Sequence, residues 1–318
     1  MANYQFKPAD RVQTNKMHPV DPFRSVMPKR PLGETGLSVG EIGLGTTPLG
    51  RSGFRAIPDA EALYFIGCAL DQECSFVDTA PSYGQGRAER LIGQAAKGRR
   101  SQLVLATKAG YFEDGHSDFS AAAIRLSLEA SLKRLDTGFV DVLLLHNPPL
   151  DALNQAGAAF VELEKLKKEG KIRAYGASVS GSAQIKLALE KTNSQVIEFP
   201  FNILDQEAAA AFELAAKKRV GLVACSPLDG GRLVGGNQNP LAMNHKDALE
   251  RLIEFIAVPG VTMAQASLQF VLAHSAISCT IPAASDWHHV IGNASAPQRR
   301  LPEGDLKSMK AFWEKELK

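Results

Sequence analysis

Four proton-handling side chains stand in three short stretches of the chain. Asp78 and Tyr83 lie in Phe76-Val77-Asp78-Thr79-Ala80-Pro81-Ser82-Tyr83-Gly84, Lys108 closes Leu105-Ala106-Thr107-Lys108, and His146 closes Val142-Leu143-Leu144-Leu145-His146. Singly, each has an ordinary reading: an Asp before Thr caps, a loop Tyr packs, a Lys is solvated. Together they make a general acid. A tyrosine is a poor acid at neutral pH, with a reference pKa near 10. A lysine ammonium about 4 Å away, at an effective dielectric near 20, contributes roughly 4 kcal/mol, or up to about three pKa units. Asp78 would keep Lys108 charged and fixed, and His146 would orient a carbonyl oxygen beside the phenol. Such a set protonates an oxyanion as it forms.

These residues need elements that bring them to one place. Short apolar runs recur at Glu41–Gly45, Ser75–Asp78, Leu103–Lys108, Val140–His146, Ile172–Ser178, Val196–Asn202, Gly221–Ser226 and Ile277–Ile281, each rich in Val, Ile or Leu as buried parallel strands are. Amphipathic helices are predicted between them, at Asp59–Leu70, Arg87–Ala96, Ala121–Leu135, Gln155–Glu169, Ser182–Lys191, Asp205–Lys218 and Thr262–Ala273. In Ala121–Leu135, for example, Ile124, Leu128, Leu132 and Leu135 share one face. Gly170 supplies a stop signal after the fourth. A βα unit repeated eight times closes into a single (β/α)8 TIM barrel of the α/β class, with its active site at the C-terminal ends of the strands. Asp78, Lys108 and His146 then end the second, third and fourth strands, and all four residues face one mouth. Leu32-Gly33-Glu34-Thr35-Gly36-Leu37-Ser38-Val39 is expected to form a short N-terminal hairpin that plugs the barrel bottom. Asp229–Leu252, with Gly230, Gly231, Gly235, Gly236 and Pro240, reads as a long loop after strand seven, a length more usual for lids than for connectors. The expected organisation is a partly flexible extension over residues 1–30 and a barrel domain over 31–318.

Composition narrows the function. The chain has 318 residues, 45% hydrophobic and 22% charged, enough to bury a large core. Its 36 basic and 34 acidic side chains leave a formal charge of +2, which gives no footprint for nucleic acid or an anionic membrane. No apolar run approaches the roughly 18 residues of a membrane helix. Cys68, Cys74, Cys225 and Cys279 form no C-x-x-C pair and match neither zinc spacing nor a disulfide framework. The first 30 residues lack the pattern of a secretory signal, so a cytoplasmic location is expected. Gly84-x-Gly86 and Gly43-x-Gly45 do not extend to a dinucleotide fingerprint. His288 and His289, adjacent on a helix, point apart, and no metal is expected.

The three stretches carrying the tetrad resemble the aldo-keto reductase superfamily. Further matches are Gly170-Lys171-Ile172-Arg173-Ala174-Tyr175-Gly176-Ala177-Ser178, Phe201-Asn202-Ile203-Leu204, Ser226-Pro227-Leu228 and Ile281-Pro282-Ala283-Ala284-Ser285, in order from about residue 30 to the end. The resemblance implies a (β/α)8 barrel and hydride transfer between a nicotinamide cofactor, NADP(H) or NAD(H), and a carbonyl of an aldehyde, ketone or sugar. It implies Tyr83 as acid, with Asp78, Lys108 and His146 around it. For the cofactor it implies Ser178, Glu198, Cys225, Ser226, Leu228, Ala283, Ser285, Asp286, His289 and Asn293.

Four of those positions depart from the family pattern. Ser178 is followed by Val179 where Asn is usual, Glu198 stands for a Gln, and Cys225 stands for a Tyr that stacks on the nicotinamide. The stretch from Ala283 to Asn293 offers Asp286 and His289 where a Lys or Arg commonly meets a 2′-phosphate. A carboxylate some 5 Å from a phosphate charge costs about 3 kcal/mol at a dielectric of 20, so Asp286 points toward dual use, with NAD tolerated better than in typical relatives. Ser285 and His289 would offset part of that repulsion. The substrate is a small carbonyl or alcohol, with Phe54, Tyr111 and Phe112 as an apolar wall in the loops Gly50–Phe54, Tyr111–Phe119 and Asp229–Asn244. Two other functions compete: a Schiff-base barrel lyase using Lys108, and a non-catalytic nicotinamide-sensing subunit resembling potassium-channel β subunits.

Overall fold

A run of Val, Ile and Leu with no polar alternation is satisfied only where both of its faces are covered. In this chain the covers are a ring of helices outside and a packed interior within. The computed structural model describes residues 26–50, 55–112, 114–234, 260–298 and 301–317. The N-terminal tail through residue 25, Phe54, and the loop after strand seven beyond Val234 lie outside the described residues.

A hairpin comes first, with β1 (Lys29–Pro31) antiparallel to β2 (Ser38–Gly40). The barrel strands follow: β3 (Leu44–Gly45), β4 (Phe76–Asp78), β5 (Val104–Ala109), β6 (Val140–His146), β7 (Ile172–Ser178), β8 (Val196–Pro200), β9 (Gly221–Cys225) and β10 (Ile277–Ile281). Each pairs in parallel with the next, in chain order. The two ends meet through isolated bridges, with Gly43 N donating to Thr280 O at 2.8 Å and Thr280 N to Glu41 O at 2.9 Å. The expected eight-stranded barrel is the one found.

Between the strands lie α1 (Asp59–Asp71), α2 (Arg87–Ala95), α3 (Ala121–Leu135), α4 (Ala158–Lys168), α5 (Ser182–Lys191), α6 (Phe212–Lys218) and α7 (Met263–Leu272). After β10 come α8 (Trp287–Ala294) and α9 (Glu303–Phe312). Two of these differ from their sequence patterns for local reasons. Gln155 does not enter α4, because its N–H donates to Lys191 O and its side chain accepts from Asn193 N, tying it to the end of α5. The Asp205–Lys218 pattern begins later, as a 3-10 turn over Glu207–Ala211 that leads into α6. The Asn202 side chain accepts from the N–H groups of both Leu204 and Asp205, which holds that segment in a turn.

Side chains alternate along every strand, and the alternation explains the site. Phe76, Val104, Ala106, Val142, Leu144, Ala174, Val196 and Val223 form one buried cluster inside the barrel, while Val77, Leu105, Leu143, Leu145, Ile197 and Leu222 join the helices in another. Continuing the inner set by two residues per step brings Asp78, Lys108, His146, Ser178, Glu198 and Cys225 to the same inner face at the C-terminal ends. At the opposite end Leu32, Leu37 and Val39 of the hairpin enter the inner cluster, closing the bottom as expected. Gly33 makes this approach possible. It sits at φ +56°, and a Cβ there would lie 2.3 Å from Gly221 N. Arg30 fastens the hairpin further, pairing with Glu41 at 2.6 Å and donating to the carbonyls of Leu272 and Ile277, each at 2.8 Å. No helix among the described residues is long and apolar enough to cross a membrane.

Candidate active site

The Tyr83 turn is fixed by close backbone packing. Tyr83 N donates to Ala80 O, and Gly84 follows at φ +63°. The turn after β3 lies directly on it: a Cβ on Gly50 would stand 2.0 Å from Gly84 N, so only a residue without a side chain fits. Arg87, at the start of α2, clamps the same region by donating to Leu49 O and Ile57 O at 2.6 Å each. The phenol is therefore held over the barrel mouth by backbone contacts.

Below it lies a buried charge cluster. Lys108 is 1% exposed, and its ammonium is ion-paired with the Asp78 carboxylate and lies 3.3 Å from Glu198 Oε1. The same nitrogen is 5.5 Å from the centroid of the Tyr83 ring. Burial disfavours the Lys108 cation, but Asp78 and Glu198 outweigh it and hold its pKa well above the ordinary value. Burial and then the Glu198 carboxylate push Asp78 well above the usual carboxylate range, against the pull of Lys108. Lys108 therefore favours its charged form.

The phenol does not. Burial raises its pKa first, Lys108 lowers it, and Asp78 and Glu198 raise it again, so Tyr83 is pushed up to about 12. The expected depression by Lys108 is real in direction and loses to desolvation and to the two carboxylates. The Thr47 side chain hydrogen-bonds to the phenol and works the other way, a partner that sequence spacing did not reveal. His146 meets the Tyr83 ring edge-on, with centroids 6.3 Å apart at 88°. Tyr111 packs against His146 at 5.3 Å, at the same mouth. Phe112 instead stacks on His116 at 5.1 Å.

One of the departures from the family pattern, Glu198, touches Ser178. Ser178 Oγ donates to Glu198 Oε1 at 2.9 Å, and both residues are buried. Val179 is 1% exposed and packs into the core, so it offers the mouth nothing polar. Glu198 Oε2 is buried with no hydrogen-bond partner among the described residues. Cys225 ends β9 on the same face. Burial and the nearby Glu198 raise its thiol well above the ordinary value, so it lines the mouth as a protonated thiol. Among the described residues no group of three or more His, Cys, Asp or Glu could hold a metal ion.

The loop after β9 carries backbone strain. Ser226 (φ +51°) and Asp229 (φ +50°) are non-glycine residues in the left-handed region, followed by Gly230 and Gly231. Ser226 is exposed, and its carbonyl accepts from Asn202 Nδ2 at 3.1 Å, while Leu228 packs on the core. Beside it, after β10, Ala283 is exposed and bridges Gly45. Asp286 is the N-cap of α8, accepting from His289 N at 3.0 Å. Its carboxylate is 3.5 Å from His289 Nδ1, which in turn is 3.2 Å from Ser285 Oγ. Asn293 is buried nearly two turns further along α8. Sequence reading missed Arg55, which comes from the segment after β3 to donate to Ser285 O at 2.8 Å and lies in the field of Asp286.

Comparison with known proteins agrees with this architecture. A model of the aldo/keto reductase family matches residues 41–314. The uncharacterized oxidoreductase YqkF of Bacillus subtilis is 30% identical over 92% of this chain and 98% of its own length. L-galactose dehydrogenase of Arabidopsis thaliana is 29% identical over 84% of the chain and 87% of its own. Among solved structures, aldo-keto reductase AKR11C1 from Bacillus halodurans in its holo form superposes with a TM-score of 0.79 at 30% identity, covering 90% of this chain and 96% of that one. The (β/α)8 barrel is thus an oxidoreductase scaffold here. The chain belongs to the aldo/keto reductase family, whose members reduce small-molecule carbonyls and typically draw on nicotinamide cofactors.

Proposed function

We propose that this protein reduces the carbonyl of an aldehyde, ketone or sugar, and runs the reverse oxidation, with Tyr83 as the general acid and base. The observation that carries the reading is the convergence of Asp78, Lys108, Tyr83 and His146 at one barrel mouth, with Lys108 buried between its carboxylates and the phenol. A reduced nicotinamide cofactor, when bound at this mouth, would supply the hydride chemistry. Tyr83 donates its O–H proton to the carbonyl oxygen as charge moves onto it, and the phenolate left behind is balanced by the Lys108 ammonium. His146 orients that oxygen toward the phenol. Tyr111 forms one wall of the substrate site, while Phe112, engaged with His116, contributes less than its sequence position implies. Lys108 as an amine nucleophile fits poorly, because two carboxylates favour its charged form.

The residues present fit a nicotinamide cofactor. Glu198 Oε2, buried and unpartnered among the described residues, is an acceptor waiting for a donor such as the carboxamide amino group. Ser178 orients that carboxylate, and Cys225 replaces a stacking ring with a smaller thiol. Ser226 and Leu228, in the strained turn at the end of β9, are placed to meet a pyrophosphate. Ala283, Ser285, Asp286, His289 and Asn293 form the adenosine end. There Asp286 caps α8 and so competes with a 2′-phosphate for the same N–H group, while Arg55 brings a cation that sequence alone did not place. That balance supports use of both NAD and NADP.

The test is Tyr83→Phe, which removes the proton donor and keeps the ring. Carbonyl reduction across a panel of aldehydes should fall at least about 10²-fold, with cofactor binding unchanged by thermal shift. Near wild-type turnover in this variant would remove Tyr83 from the mechanism.

A further inference from the structure

Lys108 serves two carboxylates, and only one of them belongs to the tetrad. Glu198 comes from β8, three strands round the barrel from the β5 strand that carries Lys108. It is 3% exposed, and its Oε1 takes both the Ser178 hydroxyl at 2.9 Å and the Lys108 ammonium at 3.3 Å. The groups that share this space are Asp78 from β4, Lys108 from β5, His146 from β6, Cys225 from β9 and Tyr83 from the turn above. Of these, only Lys108 is a permanent cation. Asp78 and Glu198 thus offer the single ammonium two carboxylates; with a neutral residue at position 198, only Asp78 would remain to balance it.

We propose that Glu198 is a positioning residue for the acid, a second counter-ion that neutralises Lys108 and so keeps Tyr83 in its protonated, proton-donating form. The consequence is directional. Reduction starts from the phenol and is served by this arrangement, whereas oxidation of an alcohol needs the phenolate and is held back at neutral pH. The Glu198 carboxylate and the Lys108 ammonium act on Tyr83 in opposite senses, in agreement with the raised phenol pKa. This inference rests on the reading of Tyr83 as the acid.

The experiment is an ultraviolet titration of tyrosine ionisation in the full-length, cofactor-free protein, with Tyr83→Phe as the blank that isolates one phenol among the five tyrosines. Glu198→Gln has nearly the same shape and keeps an oxygen for Ser178, so a merely structural role would leave the Tyr83 midpoint where it was. The expected result is a fall of about one pKa unit. Glu198→Met, neutral and of similar length, should give the same fall, and provides the measurement should the Gln variant not fold. Glu198→Asp retains the charge and should leave the midpoint within a few tenths of a unit. In assays of alcohol oxidation the pH midpoint should drop by the same amount in the neutral variants. An unchanged or raised Tyr83 midpoint in both neutral variants overturns the inference. Because the titration needs no turnover, a protein that shows the shift but reduces no carbonyl would overturn the catalytic reading, and with it the positioning role, while leaving only the electrostatic effect of Glu198 on the Tyr83 phenol.

Discussion

Replacing Lys108 by Met tests the electrostatics of the site most directly. Its ammonium is 5.5 Å from the Tyr83 ring centroid, and at an effective dielectric of 20 that separation corresponds to about 3 kcal/mol, or about two pKa units on the phenol. The phenol already stands at about 12, so without Lys108 it becomes still harder to ionise. Alcohol oxidation at neutral pH, which needs phenolate, should fall about a hundredfold; carbonyl reduction, which starts from the protonated phenol, should fall less. The substitution also strands two buried carboxylates. Asp78 is already raised by burial and by Glu198, and loses the one group that lowers it. A carboxylate whose folded pKa lies above its unfolded value near 3.9 contributes stability that is complete below about pH 4 and is lost as pH rises through the folded value. Lys108→Met should therefore lose stability, relative to the parent, as pH climbs from about 4 upward, with a total penalty of about 3 kcal/mol. Thermal melts across that range and pH–rate profiles in both directions are the assay. An oxidation profile like the parent's, together with a stability difference that does not change with pH, would refute the counter-ion reasoning.

At the adenosine end, Asp286→Arg removes the carboxylate that caps α8 and adds a cation, so NADPH affinity should improve by roughly tenfold, about 1.4 kcal/mol, by fluorescence titration; unchanged binding would mean that Asp286 does not face the ribose. At the barrel bottom, Gly33→Ala should cost about 2 kcal/mol in urea unfolding, from the left-handed backbone and the 2.3 Å approach to Gly221 N, with kcat preserved because the hairpin lies opposite the mouth.

The strands were legible because each is a short run rich in apolar residues, and because alternation fixes which residues face inward once one residue of a strand is known. Val142 and Leu144 point inside, so His146 must; Val104 and Ala106 do, so Lys108 must. Helices such as Ala121–Leu135 and Ser182–Lys191 matched their patterns to the residue, since their periodicity ends at firm boundaries. The mismatches arose where a polar side chain from elsewhere captured a backbone group. Gln155 is tied to the end of α5, and Asn202 holds the segment before α6, and neither contact leaves a mark in local periodicity. Arg55 is the functional counterpart. It reaches Ser285 across 230 positions of sequence, so a search for a cation near Asp286 along the chain had no means of finding it.

Glu198 shows why chemistry was harder to read than position. Its place on the inner face follows from Val196, and its difference from the family's Gln was visible in the sequence. What the residue does depends on where Lys108 points, and a lysine with four methylenes can reach either neighbour. The fold settles this by burying the ammonium between β4 and β8, where it meets Asp78 and Glu198 together. Desolvation then magnifies every charge in the cluster, and the net effect on Tyr83 changes sign relative to a lysine–tyrosine pair considered alone. On the proposed reading the tetrad supplies the acid, whereas the ionisation of its phenol is opposed by burial first and then by Asp78 and Glu198 against Lys108, and Glu198 stands outside the tetrad.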